Sequence, residues 1–132
     1  MSSADVVRNL YAAFAKGDVP SALGLMAPDI VWNEAENFLY ADRNPYIGPQ
    51  AVLEGVFARI GADFENFSVN PEEIIDGGGD TVIMLGRYTG TFKATGKPIN
   101  LQAVHVWRVK DGKVARFQQY VDTLQAARAA GR

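Results

Sequence analysis

The chain contains no cysteine. Disulfides and thiolate metal sites are therefore excluded, and nothing can be read about redox compartment. Histidine occurs once, as His105. One imidazole without clustered carboxylates falls short of the three or four ligands that a zinc site takes. No apolar run approaches the roughly 20 residues that span a bilayer. Charge of either sign is not in excess: the formal net charge is −2, and the basic residues are scattered. A nucleic-acid or membrane surface is not expected from that distribution. The opening MSSADVV lacks a basic stretch followed by an apolar run, so a soluble cytoplasmic protein is the expectation.

What is present is a hydrophobic fraction of 48% in 132 residues. That suits a single domain over residues 1–132 with one core. Ser2 or Ser3 can cap a first helix whose apolar stripe is Val7, Leu10, Tyr11 and Phe14, with Gly17 as its left-handed stop. Asp18 caps a short second helix, with Ala22, Leu23 and Met26 as the buried side and Pro28 as its expected end. Gly48-Pro49 opens a third helix with Val52, Val56 or Leu53, Phe57 and Ile60 as its apolar stripe, expected to stop at Gly61. After that the period changes from 3.6 to 2. Strands are expected over residues 64–75, 81–92 and 99–109, with a further strand after the Asp111-Gly112 turn and a short last helix or tail over 123–130. Asp122 precedes that helix and suits an N-cap better than a catalytic acid. Helices followed by a run of strands indicate α+β. A strongly curved antiparallel sheet wrapped around the N-terminal helices, enclosing a pocket, is the natural closure.

The chemistry concentrates in PDIVWNEAE, residues 28–36. Strand alternation puts Ile30, Trp32 and Glu34 on one face. An inward Glu34 is costly unless it is paired, protonated or put to work. The bland alternatives are a solvated strand end or an ion pair with Arg43. On the strand through residue 105, Leu101, Ala103, His105, Trp107 and Val109 share a face. The bland reading of His105 is a satisfied core histidine. The register of the following hairpin depends on its loop. A two-residue loop would set Trp107 opposite Arg116 and His105 opposite Gln118. A three-residue loop would set His105 opposite Phe117 and Ala103 opposite Gln119, and it gives the better apolar face. With the three-residue choice Gln119 lies on the same inner face as His105. Tyr11, Trp32, Tyr40, Met84, Tyr88, Trp107, Phe117 and Gln119 are the expected ligand-binding residues, although each aromatic suits the core as well. Residues 37–48 carry Phe38, Leu39, Tyr40 and Tyr46 without a regular period. They read either as a lid or as a loop packed on its own domain.

The stretches VVRNLYAAFAKGDVPSALGLMAPDIVW, GPQAVLEGVFARI and VHVWRVKDGKVARFQQYVDT resemble the nuclear transport factor 2-like superfamily, in its SnoaL-like, ketosteroid-isomerase-related branch. The similarity covers nearly the whole chain and implies a cone-shaped α+β fold and a homodimer. Aligned on Lys16-Gly17-Asp18, Glu34 falls where ketosteroid isomerases keep a general-base carboxylate. Aligned on the last hairpin, His105 falls where they keep a donor to the developing oxyanion. Leu10 occupies the position of their helix tyrosine, with Tyr11 turned about 100° away. At the polar positions of limonene-epoxide-hydrolase-like enzymes stand Gly86, Tyr88 and Gln119, which disfavours that chemistry.

The resemblance thus implies a small-molecule pocket protein, of isomerase or cyclase type. It would do acid–base chemistry on a small apolar or aromatic carbonyl compound, with Glu34 as base, His105 as hydrogen-bond donor, and no cofactor or metal. The alternative is a non-catalytic ligand-binding or dimerisation protein of the same fold. Dimerisation is expected through Val104, Val106, Arg108, Gln118 and Tyr120 on the outer sheet face.

Overall fold

The computed structural model describes residues 1–132. Helix α1 spans Ser3–Ala15, and Ser2 caps it in a reciprocal box with Asp5. Its buried side is Ala4, Val6, Val7, Leu10, Tyr11 and Ala13. Gly17 takes φ +68°, as a helix stop requires. Asp18 caps α2, Val19–Gly24, through the Ser21 amide.

This helix is shorter than its apolar pattern suggests. Met26 and Pro28 belong to strand β1, Met26–Asn33, and not to α2. Pro28 is tolerated there because the β1 ladder is interrupted between Met26 and Val31.

After β1 the chain makes a 3₁₀ turn at Ala41–Arg43 and a two-residue strand β2, Tyr46–Ile47, antiparallel to β1. The 37–48 segment therefore packs on its own domain, with Phe38, Leu39, Tyr40 and Tyr46 all buried. A continuous helical rod follows: α3 (Pro49–Val52), a π-helical turn (Leu53–Phe57) and α4 (Ala58–Asp63). It runs past Gly61, the expected stop, because that glycine is exposed and keeps helical geometry.

Four long strands complete the chain: β3 (Phe64–Asp76), β4 (Thr81–Phe92), β5 (Lys97–Lys110) and β6 (Lys113–Val121). Asp122 caps the terminal α5, Thr123–Ala129. The six strands form one sheet in the order β2-β1-β6-β5-β4-β3. All neighbours are antiparallel except β1 and β6, which run parallel. The β3 strand is bulged at two places, after Glu65 and after Pro71, and such bulges increase local bend and twist. Helix α1 lies in the resulting concavity, and the core joins it to Trp32, Met84, Trp107 and Phe117.

The β5–β6 hairpin departs from both expected registers. Its loop is the two residues Asp111-Gly112, both at positive φ. The ladder then shifts between Arg108 and Val109, so that one extra residue is accommodated on β6. His105 consequently pairs with Gln119, Trp107 with Phe117 and Ala103 with Val121. The bulge restores the inward face that a plain two-residue hairpin would have reversed.

Candidate active site

Strand β1 ends at Asn33, and Glu34 continues the inward alternation of Ile30 and Trp32. Its side chain is 2% exposed. The Trp32 indole N–H donates to Oε2 at 2.9 Å. Oε1 has no hydrogen-bond partner. The backbone around it is clamped by Asn44. Its side-chain carbonyl accepts from the Glu34 amide at 2.9 Å, and its amide nitrogen donates to the Glu34 carbonyl at 2.8 Å. Neither of the protein's two ion pairs involves Glu34, so the Arg43 pairing is not formed. Burial pushes the carboxyl up from an ordinary 4.5 to about 7, against smaller opposing effects of the Trp32 hydrogen bond and of Arg59.

His105, in the middle of β5, is 3% exposed. Its Nδ1 lies 2.6 Å from the Tyr11 hydroxyl, and its Nε2 is bonded to the Tyr88 hydroxyl. The Trp107 indole N–H donates to the Tyr11 oxygen at 2.8 Å. The Gln119 amide nitrogen donates to the Tyr88 oxygen at 2.9 Å, while its carbonyl accepts from the Ala35 amide at 3.0 Å. Complete burial lowers His105 to about 3, so the ring is neutral across the physiological range.

Glu34 and His105 do not bond to each other. They face one small cavity of about 40 Å³, whose wall also includes Trp32, Phe38, Tyr88, Phe117 and Gln119. Of the expected ligand-binding residues, Trp32, Tyr88, Phe117 and Gln119 are therefore in the wall. The other four are not. Tyr11 and Trp107 stand behind His105 in its hydrogen-bond chain. Met84 is fully buried in the core, opposite His105 on the neighbouring strand. Tyr40 donates to Asp63 at 2.9 Å and carries the Arg59 guanidinium over its ring at 4.8 Å. Met84 and Trp107 were expected from the inward faces of their strands, Tyr11 from the apolar stripe of the first helix and Tyr40 from the aromatic segment 37–48.

Sequence reasoning missed Val56, Phe57, Ile60, Phe67 and Val69 as wall residues. Three of these were legible as the apolar stripe of the third helix. Phe67 and Val69 were not, because the bulge after Glu65 resets the inward positions of β3. Phe57, Ile60, Phe67 and Val69 also border an outer cavity of about 220 Å³ beside Phe14. These four side chains are common to the lining of both spaces. No set of three or more His, Asp or Glu side chains is placed to hold a metal ion.

The geometry has relatives. The SnoaL-like domain family matches residues 7–117. A nuclear transport factor 2-like protein from Burkholderia thailandensis is 35% identical, with 98% of each chain covered and a TM-score of 0.94. TerC, co-crystallised with polyporic acid, is 25% identical over 99% of this chain and 100% of its own, with a TM-score of 0.85. IdmH from Streptomyces antibioticus, a candidate polyketide cyclase, is 25% identical over the whole of both chains, with a TM-score of 0.81. No match is found among curated proteins. The chain belongs to the SnoaL-like family of the nuclear transport factor 2-like superfamily.

Proposed function

We propose that this protein performs acid–base chemistry on a small apolar or aromatic carbonyl compound, with Glu34 as the base. The observation that carries this reading is the unpaired Oε1 of a nearly completely buried carboxylate. An unpaired buried oxygen costs roughly 1–3 kcal/mol, and such groups concentrate where they work. In the step envisaged, the C–H bond next to the carbonyl breaks and its proton passes to Oε1. The electron pair moves onto the carbonyl oxygen as an enolate, which accepts a hydrogen bond on the His105 side of the cavity. Glu34 then returns the proton, to the same carbon or to a conjugated one. A base with its pKa near 7 is suited to both transfers. The co-crystal of TerC with polyporic acid and the description of IdmH as a candidate cyclase support a small-molecule role for the shared fold.

The inner cavity holds no more than a few waters, whereas ligand pockets typically reach about 300 Å³ or more. A ligand's reacting end reaches Glu34 when Phe57, Ile60, Phe67 and Val69 part, and the outer cavity holds the remainder. That closure, with Leu10 in place of the helix tyrosine, favours the second reading, a non-catalytic ligand-binding protein. Deuterium exchange next to the carbonyl of a panel of small ketones, followed by NMR, separates the two. Wild type is expected to exchange at least one of them above the buffer rate, and Glu34→Gln to lose about a hundredfold or more. Binding without exchange in wild type would establish the second reading.

We also propose a homodimer through Val104, Val106, Arg108, Gln118 and Tyr120. Val104 pairs with Tyr120 and Val106 with Gln118 on adjacent strands, so these residues form one continuous outer patch.

A further inference from the structure

Both ends of the hydrogen-bond chain through His105 donate inward, so one of its two tyrosine hydroxyl hydrogens is left without an acceptor in the chain. An indole N–H only donates, so Trp107 fills a lone pair of the Tyr11 oxygen. Tyr11 does not border the cavity, so its hydroxyl hydrogen has one acceptor within reach, His105 Nδ1 at 2.6 Å, whereas Tyr88 borders the cavity and can turn its hydrogen there. A neutral ring whose Nδ1 accepts must carry its hydrogen on Nε2. That hydrogen is donated to the Tyr88 oxygen. Gln119 donates to the same oxygen, and its orientation is fixed because its carbonyl accepts from the Ala35 amide. Tyr88 thus receives two hydrogen bonds, which fill both lone pairs. Its own hydroxyl hydrogen has no acceptor in the protein, and the residue borders the cavity shared with Glu34.

From this we infer that the Tyr88 hydroxyl, and not His105, is the group that donates to the ligand's negative oxygen, with His105 as the positioning residue that holds it in the donating orientation. The site then presents one unpaired acceptor, Glu34 Oε1, and one unpaired donor, Tyr88 O–H, in a single cavity wall. The ligand class that fits both is a carbonyl compound able to enolise, or a phenolate that resembles its enolate. Tyr88 gives a hydrogen bond and keeps its proton, since burial raises it well above the ordinary phenol range. Two donors to the hydroxyl oxygen withdraw electron density from it and modestly strengthen the O–H as a donor to the ligand. The inference rests on the acid–base reading of the cavity, but its test does not require turnover.

Long-range 1H–15N NMR of the His105 ring reads the tautomer in the free protein. The expected result is a pyridine-type Nδ1 and a pyrrole-type, protonated Nε2. The opposite tautomer would commit the Tyr88 hydrogen to Nε2 and overturn the assignment. The second arm is titration with 4-nitrophenolate, followed by absorbance, in a Glu34→Gln background that removes the competing negative charge. Adding Tyr88→Phe is expected to weaken binding by about ten- to a hundredfold, as for a lost hydrogen bond to a charged group. Equal affinity with and without the Tyr88 hydroxyl, or no phenolate binding in the Glu34→Gln protein, would also overturn it. A protein with the expected tautomer and phenolate binding but no exchange activity would sink the acid–base reading and leave this one intact.

Discussion

At the scale of single residues, Glu34 and His105 set opposing pH dependences. Folded Glu34, raised from 4.5 to about 7, keeps a proton that the unfolded chain has lost, so its contribution to stability falls as pH rises through that window. Folded His105, lowered from 6.5 to about 3, refuses a proton that the unfolded chain takes, so stability falls as pH drops through 6.5 toward 3. Between 4.5 and 6.5 the two slopes cancel. Glu34→Gln removes one of them. Its urea-unfolding free energy is expected to rise with pH across that interval by about 1.4 kcal/mol per unit, and the variant to gain about 3 kcal/mol on wild type from acid to alkaline pH. Parallel stability profiles for the two proteins would refute the burial of an ionisable Glu34. The His105 ring resonances should likewise stay at their neutral positions from pH 8 down to about 4, where a free imidazole would titrate near 6.5. The burial of Glu34 was legible from alternation with Ile30 and Trp32. The hydrogen-bond partners of His105 were not, because Tyr11, Tyr88 and Gln119 reach it from three other elements.

At the scale of elements, the rod from Pro49 to Asp63 depends on one glycine. A Cβ on Gly55 would lie 2.1 Å from Cε1 of Tyr46, a buried ring whose hydroxyl donates to the Tyr40 carbonyl. Gly55 sits in the π-helical turn, so the rod passes directly over β2 at this point. Gly55→Ala is expected to cost about 1–3 kcal/mol by overpacking, seen as a lower urea midpoint with an unchanged slope. Helix starts were the most legible elements. Ser2, Asp18, Pro49 and Asp122 act within a turn of their own position, and local chemistry decides them. Helix ends were less so: α2 stops before Pro28 because the chain is drawn into β1, and α4 continues past Gly61 because nothing there requires a positive φ.

For the whole molecule, the proposed partnership rests on the outer sheet face. Tyr120 is 57% exposed, with Val104 and Val106 half-buried beside it. Apolar side chains rimmed by Arg108 and Gln118 make a surface that suits a two-fold contact. Light scattering at micromolar concentration is expected to give twice the 14.4 kDa chain mass, and Tyr120→Glu to shift it toward the single-chain value. A wild-type monomer at that concentration would exclude this interface. Glu34 and His105 lie on the opposite, concave side, so the interface test and the exchange assay address separate surfaces.

Apart from the two-residue β2, which was not legible, the sequence alone determined the order of the longer elements, the helix starts, the α+β class and the inward faces of β1 and β5. These follow from periods of 2 and 3.6 and from side chains bonding to nearby backbone, which are short-range effects. Tertiary structure decided the rest. The parallel placement of β1 beside β6 sets Trp32 against Phe117 and brings Glu34 to the cavity wall that Gln119 shares. The shift between Arg108 and Val109 sets His105 against Gln119. Register and strand neighbours depend on how many large side chains the whole interior can seat, and that sum is not written in any one stretch of chain.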